Sequence, residues 1–190
     1  MNEVRLASIR QKLSASFDVS FTTYELHGRT ISMIFLSSLS AQSAVNALIQ
    51  GFTQSPKEDP LTFFNGSVSA LLDEQAAITQ ILSGQCVVLL DHDPAYYSVE
   101  TRGYPTRSVH APENEKSIRG SNDAFVENII QNVGLIRRRI RDERLVVELD
   151  KEGKLTKTDL ALVYMRGIVD QDVLDDFKHR LQANSQVEIY

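Results

Sequence analysis

The sequence has no tryptophan, a single cysteine and only five prolines among its 190 residues. The one thiol, Cys86, cannot form an intramolecular disulfide, and its apolar surroundings at residues 85–90 predict a buried structural side chain. Residues 1–11 are polar and charged, so no signal peptide is visible. The longest apolar runs have the length of a strand, well short of the roughly 20 residues that span a bilayer. These absences predict a cytosolic chain without disulfides.

Motifs that support catalysis or metal binding are also missing. The four histidines are far apart, and none has a partner at the spacing of zinc ligands. No serine or cysteine lies in the strained turn of an activated nucleophile. Residues 91–93, Asp-His-Asp, precede Pro94 and predict a turn rather than a cation site. The sequence therefore predicts a non-enzymatic protein with no catalytic residues, no metal and no cofactor.

Negative charge predominates, with 25 acidic and 20 basic residues and a net charge of −5. This balance argues against general nucleic-acid binding. Positive charge is nevertheless concentrated in one place, Arg137, Arg138, Arg139, Arg141 and Arg144. That cluster is the most distinctive local feature of the chain.

The arginine cluster ends the longest helical pattern in the sequence, residues 119–144. Apolar residues at spacings of four, four, three and four predict one core-facing stripe: Phe125, Ile129, Val133, Ile136 and Ile140. Ser121 is expected to cap the helix. Arg137 and Arg139 would then lie on the two edges of the stripe, and Arg138 opposite it.

The expected interaction surface lies on this helix and comprises Arg119, Asn128, Asn132, Arg137, Arg138, Arg139 and Arg141. Arginines at the edge of a buried stripe can make bidentate contacts with carboxylates. We expect Arg137 and Arg139 to anchor the helix to its own subdomain, and Arg138 to remain available for a partner. The alternative interpretation is a solvated helix end, where positive charge complements the helix dipole.

Strand and helix patterns occur on both sides of an aperiodic segment, residues 103–120, that contains Pro105 and Pro112. They predict an α/β fold of two small mixed subdomains, residues 1–103 and 104–190, joined by a linker. Helices are expected at residues 4–13, 40–50 and 68–82, in the arginine-rich stretch, and from Asp170 onward. Strands are expected at residues 17–21, 31–36, 87–90, 96–101, 145–149, 160–164 and 187–190.

Finer expectations accompany this fold. His27-Gly28 should form a turn between the first two strands, Gly84 should end the helix at residues 68–82, and residues 91–94 should join the next two strands into a hairpin. Ser40 should cap the second helix, and residues 151–154 should form a turn between two strands. In the last helix, Val173, Leu174, Phe177 and Leu181 should face inward. The two halves resemble distant duplicates, because residues 31–36 and 160–165 share a pattern and a helix start follows each after the same interval. Convergence of ordinary α/β patterning is the alternative.

Several short motifs match a known family: Arg119-Gly120, Phe125-Val126-Glu127-Asn128, Asn132 with Leu135, and Arg137-Arg138-Arg139-Ile140. Together they resemble the signature of the A-subunit family of spore germination proteins (GerA-like). The resemblance is strong from Tyr104 to Leu181 and faint before that.

The resemblance implies a non-enzymatic role in the germination of dormant spores. Members of the family work in germinant receptor or ion channel assemblies of the spore inner membrane, and they continue into a membrane domain of several helices. This chain would then be the soluble amino-terminal domain, on the cytoplasmic, spore-core side, acting in assembly or signal transmission. The implied partners are its own membrane domain, other subunits of the germination complex and, in the full-length protein, further copies in a homo-oligomer.

Two other functions fit the sequence. One is a small-molecule-binding module with a ligand crevice between the two subdomains, a usual place for such a site. The other is a phosphate or nucleic-acid binder that uses the arginine-rich helix, whose affinity would fall steeply with salt. Arg119-Gly120 ahead of a helix could hold an anion, although a capped helix start is the commoner explanation.

Overall fold

The computed structural model describes residues 2–54, 61, 64, 67–103 and 124–184. Five helices occur in this part of the chain: α1 (Asn2–Leu13), α2 (Gln42–Gln54), α3 (Glu74–Leu82), α4 (Ile129–Arg139) and α5 (Gln171–Asn184). Its strands are β1 (Val19–Leu26), β2 (Arg29–Leu36), β3 (Val68–Leu71), β4 (Cys86–Leu90), β5 (Tyr96–Val99), β6 (Leu145–Glu152) and β7 (Thr158–Met165). The mixed α/β class is confirmed.

The first half contains a five-stranded antiparallel sheet with the order β1-β2-β4-β5-β3. Helices cover both faces of the sheet, so the apolar side chains of its central strands are buried on both sides. One core cluster joins the sheet to α1 and α3 through residues such as Ile9 and Ile81. The other joins it to α2 through Leu48 and Phe52. All residues of β4 are consequently buried.

Several local predictions for this half are confirmed. The turn between β1 and β2 is His27-Gly28, with φ of 54° and 74°, as a tight hairpin requires. Gly84, with φ of 89°, follows the end of α3 and lets the chain reverse there. β4 and β5 form the predicted hairpin.

The prediction of one helix over residues 68–82 is wrong. Residues 68–71 form β3, which pairs antiparallel with β5, and only α3 is helical. Asp73 separates the two elements, because its carboxylate accepts a hydrogen bond from the backbone N–H of Ala76 and caps α3. The predicted cap of α2 is also wrong: α2 begins at Gln42, and the Ser40 hydroxyl instead donates to the Gly84 carbonyl.

The second half contains the two-stranded antiparallel sheet β6-β7, with α4 before it and α5 after it. The predicted turn at residues 151–154 lies further along the chain, since β6 continues to Glu152 and pairs with Thr158. Asp170 caps α5 as expected, because its carboxylate accepts hydrogen bonds from the N–H groups of Asp172 and Val173.

Two residues of α5 do not face inward as predicted. Leu174 is buried, whereas Val173 and Phe177 are 64% and 48% exposed. A sheet of two strands is narrow, so it covers only the side of α5 that carries Leu174, Lys178 and Leu181. The helix therefore presents part of its apolar surface to solvent.

Three sequence predictions fall outside the described residues: the linker, the cap at Ser121 and the strand at residues 187–190. The division into residues 1–103 and 104–190 thus stays a prediction, as does the duplication. The order α1-β1-β2-α2 does match α4-β6-β7-α5, and α2 and α5 each begin after the same interval from the preceding strand. The first half then continues with four further elements.

Cys86 should be inert towards thiol reagents in the folded protein. Its side chain is fully buried, and this burial raises the pKa of the thiol to about 12. At pH 8 the reactive thiolate would amount to a fraction on the order of 10⁻⁴. Absorbance with 5,5′-dithiobis(2-nitrobenzoate) should therefore stay at baseline in buffer and rise to one thiol per chain in guanidinium chloride. Rapid labelling of the native chain would contradict the burial of this residue.

Candidate interaction surface

Helix α4 starts later than the sequence pattern predicts. Its cap is Asn128, whose side-chain oxygen accepts a hydrogen bond from the N–H of Gln131 at 3.1 Å. Residues 124–128 are not helical, so α4 does not extend back towards the predicted start of the helix. Phe125, expected in the core, is 68% exposed. The apolar period extended too far because Phe125 happens to lie at helical spacing from Ile129.

Asn132 fixes the segment before α4 to the helix. Its side-chain oxygen accepts a hydrogen bond from the N–H of Val126 at 2.8 Å, and its amide nitrogen donates to the Val126 carbonyl at 2.7 Å. Both asparagines of the predicted interaction surface therefore stabilise the start of α4. These local bonds account for the presence of an asparagine at each position.

The buried face of α4 differs from the predicted stripe. Val133 is buried as expected, but Ile129 and Ile136 are only half-buried, and Ile140 is 40% exposed beyond the helix end. The fully buried residues are Val133, Gly134 and Arg137. The helix is thus rotated towards Arg137, and a charged residue occupies the centre of its buried face.

Arg137 forms a buried ion pair with Asp18. Its Nη2 and Nε atoms donate to the two oxygens of the Asp18 carboxylate at 2.8 and 3.1 Å, and Nη1 donates to the Leu145 carbonyl at 2.9 Å. The hydroxyl of Ser38 donates to Asp18 at 2.7 Å. Arg137 and Asp18 are 2% and 0% exposed. Bidentate geometry and additional hydrogen bonds are what a buried ion pair requires to be tolerated.

The segment before β1 carries further bonds between the halves. The N–H of Phe17 donates to the Val147 carbonyl at 2.9 Å. The Ser16 hydroxyl donates to the Leu145 carbonyl at 3.2 Å and accepts from the N–H of Val147 at 3.0 Å. We call residues 16–18, Arg137 and the start of β6 the junction. Arg137 thus anchors α4 as predicted, but it does so to the other half as well as to its own.

The remaining arginines of the cluster lie on the surface. Arg138, Arg139 and Arg141 are all exposed, in contrast to the buried Arg137. The anchoring role expected for Arg139 therefore stays a prediction. Arg144 pairs with Asp142 at 2.7 Å, and the hydrogen bonds from Arg144 lower the pKa of the Asp142 carboxyl to about 2. Arg119 lies outside the described residues. The predicted surface therefore has three parts: the buried Arg137, the two asparagines that stabilise the helix start, and an exposed part. We call this exposed part, which comprises Arg138, Arg139 and Arg141, the arginine end.

Glu148 on β6 makes a polar contact between the hairpin and α5. It accepts hydrogen bonds from Lys178 at 2.8 Å and from the Tyr164 hydroxyl at 2.7 Å. Burial opposes ionisation of Glu148, yet these two donors hold its pKa below the usual range. Burial, together with the bond to Glu148, raises the pKa of Tyr164 to about 12. Next to these residues, α5 and the hairpin form a cleft of about 230 Å³ that is lined by four leucines and four polar or charged residues.

Among the clefts that described residues line, four lie within one half of the chain each. The largest of these four, of about 620 Å³, lies beside the β1–β2 and β4–β5 turns, with Arg29, Asp91 and Tyr97 among its lining residues. The ligand crevice that the sequence suggested between the subdomains stays a prediction. Among the described residues, no three His, Cys, Asp or Glu side chains are grouped to hold a metal ion.

The α/β fold with its two antiparallel sheets is shared with a solved structure. The chain superposes on the crystal structure of the N-terminal domain of the A subunit of the Bacillus megaterium spore germinant receptor GerK3, with a TM-score of 0.69. The match covers 96% of this chain and 70% of that one at 21% identity, which establishes the common fold. No helix in the described ranges is long and apolar enough to cross a membrane.

Sequence comparison supplies the family. The model of the Bacillus/Clostridium GerA spore germination proteins matches residues 7–189, so the chain belongs to the GerA family. It is 32% identical to stage V sporulation protein AF of Bacillus subtilis over 176 residues, 87% of this chain and 36% of that protein. It is 36% identical to spore germination protein KA of the same organism over 118 residues, 62% of this chain and 22% of that protein. The chain thus spans about a third or less of the length of these relatives.

Proposed function

We propose that this chain is the amino-terminal, cytoplasmic portion of a germination A-subunit-like protein in the spore inner membrane. In this role it helps to assemble a germinant receptor or ion channel complex, or transmits a signal within it, without catalysing a reaction. Support comes from the family match over residues 7–189 and from relatives whose names place them in spore germination and sporulation.

The observation that carries this proposal is the contrast within the arginine cluster. Arg137 is completely buried and paired, whereas Arg138, Arg139 and Arg141 are exposed at the end of the same helix. The arginine end of α4 is therefore rigidly connected, through the junction, to the core of the first half. A partner that binds the arginine end would act on both halves, which is what assembly or signal transmission needs.

Charge reversal at Arg138 tests this proposal. Arg138→Glu should leave the melting temperature of the isolated chain within about 2 °C of the original, because exposed substitutions usually change stability by less than about 0.5 kcal/mol. In spores that carry the full-length protein, the same variant should reduce germination or the amount of assembled complex. Germination would be followed by the loss of optical density, and assembly by co-purification.

The matched control is Lys157→Glu, an exposed charge in the connection between β6 and β7. It should change neither melting nor germination. Normal germination and normal assembly of the Arg138→Glu protein would contradict the role proposed for the arginine end. Unfolding of the isolated Arg138→Glu chain would show that Arg138 is structural instead.

A further inference from the structure

Strand β1 forms one edge of the five-stranded sheet, and it is long and sparsely charged for an edge strand. All eight of its residues pair with β2 in an unbroken register, so no bulge interrupts the strand. Its sequence contains neither proline nor lysine, and Glu25 is its only charged residue. Edge strands are usually protected from further pairing by short length, bulges, proline or lysine. The opposite edge, β3, has only four residues and follows that rule, whereas β1 does not.

Alternate residues of β1 direct their backbone groups away from β2. The N–H of Ser37 donates to the Asp18 carbonyl at 2.8 Å, so these two residues form a hydrogen-bonded pair at the start of the ladder. Hydrogen-bonded and non-hydrogen-bonded pairs alternate in an antiparallel ladder, and the outward residues therefore include Phe21, Thr23 and Glu25. Among the described residues, none provides a backbone partner for the outward groups of these three.

The same edge already accepts a strand at the junction. Phe17 is separated from Phe21 by an even number of residues along the strand direction, and its N–H donates to the Val147 carbonyl of β6 at 2.9 Å. β6 thus occupies the beginning of this edge, and the row of outward groups continues along β1 beyond it. The edge is therefore open to a further extended segment from the point where β6 leaves it.

A groove follows β1 on the side of the sheet that α2 covers. Its volume is about 310 Å³, and its apolar surface comes from Tyr24, Met33, Phe35, Val45 and Ile49. The other lining residues are serine, threonine and glutamine, so none of the nine carries a charge. Helix α2 has no charged residue either, although 24% of the chain is charged. Depletion of charged residues is typical of the centre of a protein-binding site.

We propose that β1 and this groove bind an extended peptide segment of another protein by β-strand addition. We call β1 and the groove the β1 edge site. The main chain of the added segment hydrogen-bonds to the outward groups of β1, and every second side chain of that segment enters the groove. Because the groove is apolar and uncharged, the segment that fits it is neutral and has apolar residues at alternate positions.

A peptide of another protein is favoured over a second copy of this chain by the side chains that the groove receives. If two β1 strands paired, each would present Ser20 and Thr22 on the groove side of the sheet. These side chains are small and polar, so they would cover little of the apolar surface of Met33 and Phe35. The β1 edge site also contains no residue of α4, and this inference therefore goes beyond the function proposed for the arginine end.

Fluorescence anisotropy with a synthetic heptapeptide tests the proposal. The probe is fluorescein-labelled Thr-Val-Thr-Ile-Thr-Val-Thr with an amidated carboxyl end, which has an apolar residue at every second position. It should bind the 190-residue chain saturably, with a dissociation constant below about 500 μM. A probe with lysine at the apolar positions should bind about tenfold or more weakly, because the groove cannot solvate a charge.

Two N-methylated forms of the probe test the main-chain hydrogen bonds. One form is methylated at the threonine nitrogens, and the other at the valine and isoleucine nitrogens. An added strand turns only alternate N–H groups towards β1, so one form should bind and the other should not. This comparison needs no substitution in the chain, and it therefore decides the question even if a variant fails to fold.

Three variants of the chain test the site itself, after circular dichroism has shown that they are folded. Thr23→Pro removes an outward N–H and leaves the β1–β2 ladder intact, since proline is tolerated on edge strands. Ile49→Lys introduces a charge into the groove. Each should weaken binding of the probe about tenfold. The matched control is Ala47→Lys, which adds the same charge at an exposed position of α2 that does not line the groove, and it should bind normally.

The proposal is overturned if the unmodified probe shows no saturable binding, or if the two methylated forms bind equally. Normal binding by folded Thr23→Pro and Ile49→Lys chains also overturns it. Sedimentation velocity without the probe tests the other occupant: a dimer that Thr23→Pro dissociates would assign the edge to a second copy instead. None of these measurements depends on Arg138, so the proposed function and the β1 edge site can fail separately.

Discussion

Asp18→Ala should lower the free energy of unfolding by about 3–5 kcal/mol, because it leaves the guanidinium group of Arg137 buried without its charge partner. The variant also deprives the Ser38 hydroxyl of its acceptor. Urea unfolding followed by circular dichroism would measure the loss. This is the largest effect that we expect from a single polar substitution among the residues that the structure describes.

A double variant separates the charge effect from simple loss of packing. Replacement of a buried ion pair by apolar residues of similar volume is often neutral or stabilising. Asp18→Leu/Arg137→Met should therefore recover most of the stability that Asp18→Ala loses. A double variant as unstable as the single one would mean that the bonds to Leu145 and Ser38, rather than the pair itself, dominate the junction.

Ile81→Ala should cost about 2–5 kcal/mol, since Ile81 on α3 is fully buried in the core between α1, α3 and the sheet. The matched control is Phe125→Ala. Sequence periodicity places Phe125 in the core, but the side chain is 68% exposed, so its removal should cost about 0.5 kcal/mol or less. Thermal melting of the two variants would decide whether Phe125 lies in the core, as the periodicity predicts, or on the surface, as in the structure. An equal loss of stability in both variants would show that Phe125 is a core residue.

The parts of the fold that the sequence predicts correctly depend on neighbouring residues. The β1–β2 turn follows from His27-Gly28, and the start of α5 follows from Asp170, because turns and caps are made within a few residues. The buried strands β2 and β4 are recognisable because sheet strands covered on both faces are apolar throughout. Periodicity and capping chemistry sufficed for these elements.

The parts that it misses depend on distant residues. Residues 68–71 become a strand because they pair with β5, across a helix and another strand. Arg137 is buried because it pairs with Asp18, which lies 119 positions away in the chain. No local sequence pattern indicates the pairing of residues 68–71 with β5 or the burial of Arg137. Hydrophobic periodicity assigns arginines to the surface. For the interaction surface, the same limit applies: the arginine cluster is visible in the sequence, but its division into an anchor and an exposed end is not.

The junction has a thermodynamic consequence for the second half. A two-stranded hairpin is marginal in water when it stands alone, and β6-β7 is such a sheet within the described residues. Ser16 and Phe17 extend its hydrogen bonding at the β6 edge, and Asp18 neutralises the charge in the helix that packs beside it. The folded population of the second half therefore depends on the integrity of the first. The two halves should therefore unfold as one cooperative unit. Destabilisation of α1 or β1 would lower the local stability at the carboxyl end of α4.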